Sequence, residues 1–211
     1  MYIHATSDED AYIAATDSYR LAEQKLPKLP NDTALLVPAT TLQELLRVIG
    51  DEEQDILLSY DEGQVLFTYG DIQIISRLID GNYPDYRQLI PEKSEILCTL
   101  KKADFMNIAK VSSLFARESA GSITLHVSEE DQEVSIRSIA SQVGENTSKA
   151  PAEVSGSGEV TLNSRYLIDA LNVFDSDVVT FRFSGKINPC VISGADQKDS
   201  DYTHIIMPLR S

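Results

Sequence analysis

The chain has 211 residues, a formal net charge of −15, and 42% hydrophobic residues. Such a length and apolar content can bury one large core or two of about a hundred residues each. It excludes general disorder, and no run approaches the roughly 18 apolar residues of a membrane span. The acidity argues against a protein that coats nucleic acid with a broad basic surface, while leaving room for a few cations gathered on one inner face.

In chain order, strands are expected at Tyr2–Ala5, Tyr12–Thr16, Leu21–Lys25 and Ala34–Val37. A helix follows, because Leu42, Leu45, Leu46 and Ile49 have the i, i+3, i+4, i+7 spacing of one apolar face. An acidic turn, Asp51-Glu52-Glu53, leads into strands Ile56–Tyr60, Gln64–Tyr69 and Gln73–Leu78. Asp61-Glu62-Gly63 and Gly70-Asp71 are the hairpin turns between them. The pattern then breaks at Pro91-Glu92-Lys93-Ser94, dividing a first domain, residues 1–93, from a second, residues 94–211.

The second domain begins with strand Ile96–Leu100 and helix Ala103–Ala116, with Phe105, Ile108, Val111 and Phe115 as its apolar face. Strands Ser122–Val127, Glu133–Ala140 and Ala150–Ser155 follow. A last round consists of strand Glu159–Leu162, a helix on Leu167, Ala170, Leu171 and Phe174, the turn Asp175-Ser176-Asp177, and strands Val178–Phe183, Pro189–Ile192 and His204–Leu209. This second helical stripe repeats the first at a constant offset of 125 residues. The unit is therefore strand, helix and three-stranded antiparallel meander, giving an α+β fold of repeated units with helices on one face of the sheets. The first domain has no counterpart to the strand and helix of 96–116, so the chain is expected to be part of a longer protein, the alternative being a divergent, shorter domain.

No catalytic or metal-binding pattern appears. His4, His126 and His204 lack ligand-spaced partners and read as strand residues, and there is no phosphate loop, dinucleotide fingerprint or nucleophile elbow. The runs Ser7–Asp10, Asp51–Glu53 and Glu129–Asp131 read as turns rather than a calcium loop. Two cysteines, Cys98 and Cys190, make no disulfide framework. Met1–Ala5 has neither the basic flank nor the apolar core of a signal peptide, so a cytoplasmic location is expected.

Two proline-containing apolar segments stand apart: Gly81-Asn82-Tyr83-Pro84-Asp85-Tyr86-Arg87-Gln88-Leu89-Ile90-Pro91 and Tyr202-Thr203-His204-Ile205-Ile206-Met207-Pro208-Leu209-Arg210. Proline resists incorporation into helix or central strand, so such segments form rigid apolar edges fit to hold an extended peptide. Together with Thr16-Asp17-Ser18-Tyr19-Arg20-Leu21 and Leu114-Phe115-Ala116-Arg117-Glu118, they closely resemble motifs of the bacterial sliding clamps, the beta subunits of DNA polymerase III. Four such motifs occur in family order and spacing. By that resemblance the chain looks like most of the middle clamp domain plus the complete C-terminal domain. Without a first domain it is expected to form no closed ring dimer.

The resemblance implies a non-catalytic processivity factor with the DNA-clamp fold and no cofactor or metal. Its implied partners are the DNA polymerase III catalytic subunit, the clamp loader and other clamp-binding-motif proteins, including repair proteins. Duplex DNA would be bound only by a full-length ring. It also implies an inter-domain peptide pocket: Thr16, Ser18, Tyr19, Arg20 and Leu21 as one wall, Pro84 and Leu89 as the next, and Asn163, Tyr166, Pro189, Ile205, Met207 and Pro208 completing it. Taken alone, Pro84 is an ordinary turn residue, and Ile205 and Met207 fit an ordinary strand core. Ser18 and Tyr19 replace the family's common glycine and histidine, and a serine holds φ > 0 less comfortably than glycine. Arg47, Lys101, Lys102, Lys110, Arg117 and Arg165 lie on or beside the helices and would face DNA phosphates, although a solvated helix face has the same composition. Leu114 and Phe115 would meet the next subunit, with core burial of both as the competing expectation. The alternative of another class is a small acidic β-rich hydrolase, whose mark would be two carboxylates converging in a cleft with a raised pKa.

Overall fold

The computed structural model describes residues 1–5, 10–30, 33–49, 54–140, 144–196 and 201–210. The expected acidic turn Asp51–Glu53 and all but Asp10 of the run Ser7–Asp10 lie outside the described residues. The chain divides into two compact units, one of residues 1–15 and 24–85, the other of residues 16–23 and 86–211.

In the first unit, β1 (Tyr2–Ala5) lies between β2 (Ala11–Thr16) and β4 (Ala34–Leu36); β3 (Arg20–Leu26) lies between β2 and β4 in sequence, and its residues 20–23 belong to the second unit. Ile3 sits opposite both Ile13 and Leu35, so three strands present one apolar face. Helix α1 (Ala39–Val48) buries Thr41, Leu42 and Leu45. A meander of β5 (Leu57–Tyr60), β6 (Gln64–Tyr69) and β7 (Ile72–Arg77) follows. Its first turn is held by Asp61, whose carboxylate accepts the backbone N–H groups of Gly63 and Gln64, both at 2.8 Å. Ile3, Leu35, Val37, Leu42, Leu45, Val65 and Phe67 form the core.

The second unit contains two full rounds. The first is β8 (Ile96–Lys101), α2 (Lys102–Phe115), β9 (Ser122–Ser128), β10 (Glu133–Ala140) and β11 (Gly144–Pro151), followed by the short β12 (Glu153–Ser155). The next is β13 (Gly158–Asn163), α3 (Ser164–Leu171), β14 (Val178–Phe183), β15 (Cys190–Gly194) and β16 (Tyr202–Ile206). One antiparallel sheet runs β11-β10-β9-β13, and another includes β12-β8-β14-β15-β16. Phe105, Ile108, Leu125, Leu167, Leu171, Phe174, Phe181 and Phe183 lie in the shared core.

Three sequence expectations are corrected. The strand expected at Ala150–Ser155 is two strands, β11 and β12, because polar Asn146, Thr147 and Ser148 complete the ladder with β10 although no apolar alternation marks them. The strand expected over His204–Leu209 ends at Ile206, since Met207 turns its N–H to Tyr19 and Pro208 has none to give. On α2 the buried face is Phe105, Ile108, Ala109 and Ser112, while Val111 is exposed and Phe115 half-buried. Small residues there let the helix approach β10 and β11 closely.

The two units differ in how fully equivalent positions are covered. Leu171 of α3 is 0% exposed, whereas Leu46 of α1, its repeat partner, is 71% exposed. In the second unit α2 packs against α3, β8 pairs with β14, and Phe105 meets Phe181 edge-on at 5.8 Å. Among the described residues, β5 pairs with β6 alone. Truncating a buried leucine leaves a cavity that an exposed one does not. Leu171→Ala is therefore expected to cost about 2–5 kcal/mol and Leu46→Ala under about 1 kcal/mol, as read by urea denaturation of the two variants.

Candidate functional site

The segment Thr16–Arg20 is a side-chain-locked turn within the second unit. Asp17 Oδ1 accepts the N–H groups of Tyr19 and Arg20, both at 3.0 Å. Thr16 Oγ1 donates to the Arg20 carbonyl at 2.8 Å and accepts the Ser18 N–H at 3.2 Å. This closure holds Ser18 at φ 73°, in the left-handed region. Burial alone would raise the Asp17 pKa, but the Tyr19 N–H and the Arg20 side chain outweigh it and hold the carboxyl below its ordinary range.

The turn projects Tyr19 and Arg20 toward α3. Asn163 caps that helix, its Oδ1 accepting the Arg165 N–H at 2.9 Å. Tyr166 and Asp169 follow, three residues apart and so on one face. The Arg20 guanidinium lies 4.6 Å from the Tyr166 ring centroid and pairs with Asp169 at 2.7 Å and Asp17 at 3.0 Å. Tyr19 stacks on Tyr166 with centroids 6.4 Å apart. Thr16, Arg20 and Asn163 thus spend their polar groups on shaping the turn and helix, leaving the exposed Tyr19 ring as the surface they build.

The C-terminal segment runs alongside. Met207 donates its N–H to the Tyr19 carbonyl and Leu209 to that of Thr161, both at 2.8 Å, with Pro208 between. The half-buried Met207 side chain also lines a cleft of about 470 Å³ with Gln88, Leu89, Pro91, Lys93, Ser184, Asn188 and Pro189. Leu89 ends a 3-10 turn, Tyr86–Leu89, and stands exposed at the cleft edge. The floor and rims are proline, leucine and methionine, with amide, hydroxyl and ammonium groups at the margin. This is the composition of a site that takes apolar side chains and orients their backbone.

Of the residues named from sequence, Leu89, Pro189 and Met207 line this cleft. Thr16, Ser18, Tyr19, Arg20, Asn163 and Tyr166 form the adjacent patch, and Met207 joins the two. Leu21 and Ile205 are buried, Pro208 is half-buried, and Pro84 belongs to the first unit. Sequence reasoning missed Gln88, Pro91, Lys93, Ser184 and Asn188. The first three flank Leu89, whereas Ser184 and Asn188 meet only when the Asn188 amide closes the loop onto the Ser184 carbonyl at 2.8 Å. A second hollow, about 390 Å³, lies over Thr124, His126, Thr161 and Leu209. There Glu159 pairs with His126 at 3.1 Å and with Lys186.

Lys101, Lys110, Arg117 and Arg165 are exposed; Arg47 pairs with Glu44 at 2.9 Å, and Lys102 donates to the Phe174 carbonyl at 2.6 Å. Leu114 is 59% exposed and Phe115 half-buried, so the competing expectation of full core burial fails for both. Asp17, Asp61, Glu145 and Glu159 all have lowered pKa values, the reverse of the hydrolase mark. Cys98 is buried and its thiol is pushed up to about 12.

Behind the patch, buried His204 shares a hydrogen bond between its Nδ1 and the Tyr202 hydroxyl, 2.8 Å away. Its Nε2 has no hydrogen-bond partner among the described residues. Burial first, then the nearby Arg20 charge, lower its pKa to about 4, against the opposing pull of Asp169 and Asp17.

With this geometry in hand, comparison with known proteins is specific. Residues 1–85 match the family model of the DNA polymerase III beta subunit, central domain, and residues 87–210 that of its C-terminal domain. The beta sliding clamp of Staphylococcus epidermidis is 34% identical over 209 residues, covering 97% of this chain and 54% of that protein. That of Staphylococcus aureus is 32% identical over 208 residues with the same coverage. The chain therefore spans about half the length of the curated relatives it matches. The crystal structure of the DNA polymerase sliding clamp from Bacillus subtilis aligns with a TM-score of 0.89 at 26% identity, over 100% of this chain and 56% of that one. The α+β architecture is the clamp fold.

Two outcomes follow from the turn and from His204. Ser18→Gly removes a strained Cβ at some entropic cost, for a net gain of up to about 1 kcal/mol, seen as a higher Tm. For His204, the unfolded ring takes up its proton near pH 6.5 and the folded ring near about 4. Its contribution is therefore full above pH 6.5, declines as pH falls through that window, and is lost below about 4. The decline amounts to roughly 3 kcal/mol at most, and His204→Phe should flatten that limb of a stability-against-pH curve.

Proposed function

The chain belongs to the DNA polymerase III beta-subunit family, the sliding clamps, and on that premise we propose that it is a non-catalytic, cytoplasmic processivity factor that docks short peptide motifs in its second unit. The observation that carries this reading is the convergence of Leu89, Pro189 and Met207 on one cleft beside the Tyr19–Tyr166 patch. The partners are segments of the polymerase catalytic subunit, the clamp loader and repair proteins with a Gln-x-x-Leu-Phe-like pattern.

The physical sequence of events is simple. The two terminal apolar side chains of the motif leave water for the cleft, each contributing about 1.5–3 kcal/mol. Met207 adapts to their shapes through its unbranched thioether chain. Ser184, Asn188 and Gln88 offer hydrogen bonds to the peptide backbone, and Lys93 favours an acidic residue at the rim. Part of this gain is offset by ordering the peptide, so binding stays reversible and partners can exchange. The proline-rich rims, with few backbone conformations to lose, keep that ordering cost on the peptide side.

Within a closed ring, Arg47, Lys101, Lys102, Lys110, Arg117 and Arg165 would contact phosphates without reading sequence. Leu114 and Phe115 would meet the neighbouring subunit. A net charge of −15 keeps the isolated chain a weak DNA binder, so retention on duplex belongs to the ring and not to local affinity.

A fluorescence-polarisation titration with a labelled Gln-Leu-Asp-Leu-Phe peptide tests the docking reading. Saturable binding is expected, weakened at least about tenfold by Met207→Asp, which replaces one buried apolar contact with a charge. No binding by a folded wild type would refute it.

A further inference from the structure

Glu23 on β3 is 7% exposed, and a carboxylate so buried needs donors. Among the described residues it has two, and both come from the start of the turn that carries Leu89. The Tyr86 hydroxyl donates to Glu23 Oε2 at 2.5 Å, and Arg87 Nε lies 3.3 Å from the same oxygen. Tyr86 itself is buried. Farther along, the Pro91 carbonyl accepts from Arg182 Nη1 at 2.8 Å, and the Ile90 N–H returns to the Arg87 carbonyl at 3.1 Å.

The residue just before β3 reaches the opposite lip of the cleft. The Tyr19 carbonyl accepts the Met207 N–H at 2.8 Å. Glu23 lies four residues along the chain from Tyr19, which stands in the bend just before β3. Residues 19–23 thus hold Met207 at one end and the Tyr86–Leu89 turn at the other.

We propose that Glu23 is a positioning residue for the cleft: through Tyr86 and Arg87 it sets where Leu89 stands relative to Met207. The effect on ligands rests on the peptide-docking reading; the effect on the turn does not. Without an acceptor at position 23, the Tyr86 hydroxyl and the Arg87 guanidinium lose their contact to β3, so the turn is held less firmly there and samples more positions. Binding must then reorder it, and affinity falls although no residue that touches the peptide has changed.

The test uses the full 211-residue chain as wild type, Glu23→Gln, Glu23→Val and Tyr86→Phe, each measured well below its Tm. Glu23→Gln keeps an acceptor for Tyr86 and should bind the labelled Gln-Leu-Asp-Leu-Phe peptide within about threefold of wild type, whereas Glu23→Val should lose about tenfold. Glu23→Val placed on Tyr86→Phe should lose less than it does alone, because the two act through one contact. In the free protein, limited trypsin cleavage after Arg87 should be faster in Glu23→Val, with cleavage after Arg47 unchanged. Wild-type affinity in a folded Glu23→Val chain, or equal losses for the Gln and Val variants, overturns the proposal. If Glu23→Val does not fold, Tyr86→Phe takes its place, and unchanged affinity and unchanged cleavage after Arg87 overturn the proposal there. If the wild type binds no peptide, the docking reading has failed, and cleavage after Arg87 decides the positioning claim by itself.

Discussion

A helix of eight to fourteen residues is marginal alone in water, so everything here depends on covering the apolar face of each short helix. In the second unit that cover is reciprocal. α3 buries Leu167, Ala170 and Leu171 against α2, while β8 pairs with β14 beneath them. The doubled strand–helix–meander is the smallest arrangement in which each copy completes the core of the other. The first unit shows the same rule from the opposite direction, with Leu46 on the corresponding helix face left exposed.

A scaffold of this kind leaves its strand ends and connecting turns to form the surface features. The C-terminal segment is tied twice by backbone hydrogen bonds, to Tyr19 and to Thr161, with proline between. The turn at Thr16–Arg20 is closed by its own side chains and braced against α3 through Arg20 and Asp169. These contacts consume the polar groups of the turn and of the facing side of α3, while Gln88, Lys93, Ser184 and Asn188 remain at the cleft margin. What else remains outward is apolar and aromatic: Tyr19, Leu89, Pro189 and Met207. The surface is thus dominated by shape and apolar area, which fits the proposed docking of several different peptides.

Much of this was legible in the chain. The stripes Leu42-Leu45-Leu46-Ile49 and Leu167-Ala170-Leu171-Phe174 declare helices because period alone defines an amphipathic face, and their offset exposes the repeat. The edge strand β11 was not legible at its start, since Gly144–Ser148 has no apolar alternation and is a strand only because β10 is beside it. The face of α2 was misassigned because Ala109 and Ser112 are buried for their small size, which hydrophobicity does not signal. At the site, Leu89, Pro189 and Met207 came from resemblance to a family. Asn188, Ser184 and Glu23 could not: the first two come together through a loop closure four residues wide that no periodicity signals, and Glu23 meets Tyr86 across 63 residues.

The central claim is that the cleft at Leu89, Pro189 and Met207 receives the apolar end of a partner peptide. A crystal structure of the chain with the Gln-Leu-Asp-Leu-Phe peptide tests it most directly. The account predicts the terminal leucine and phenylalanine packed against Met207, Pro189 and Leu89, with the peptide backbone within hydrogen-bond distance of Ser184 or Asn188. A peptide seated instead in the hollow over Thr124 and His126, or on the exposed helix face at Leu114, would contradict it.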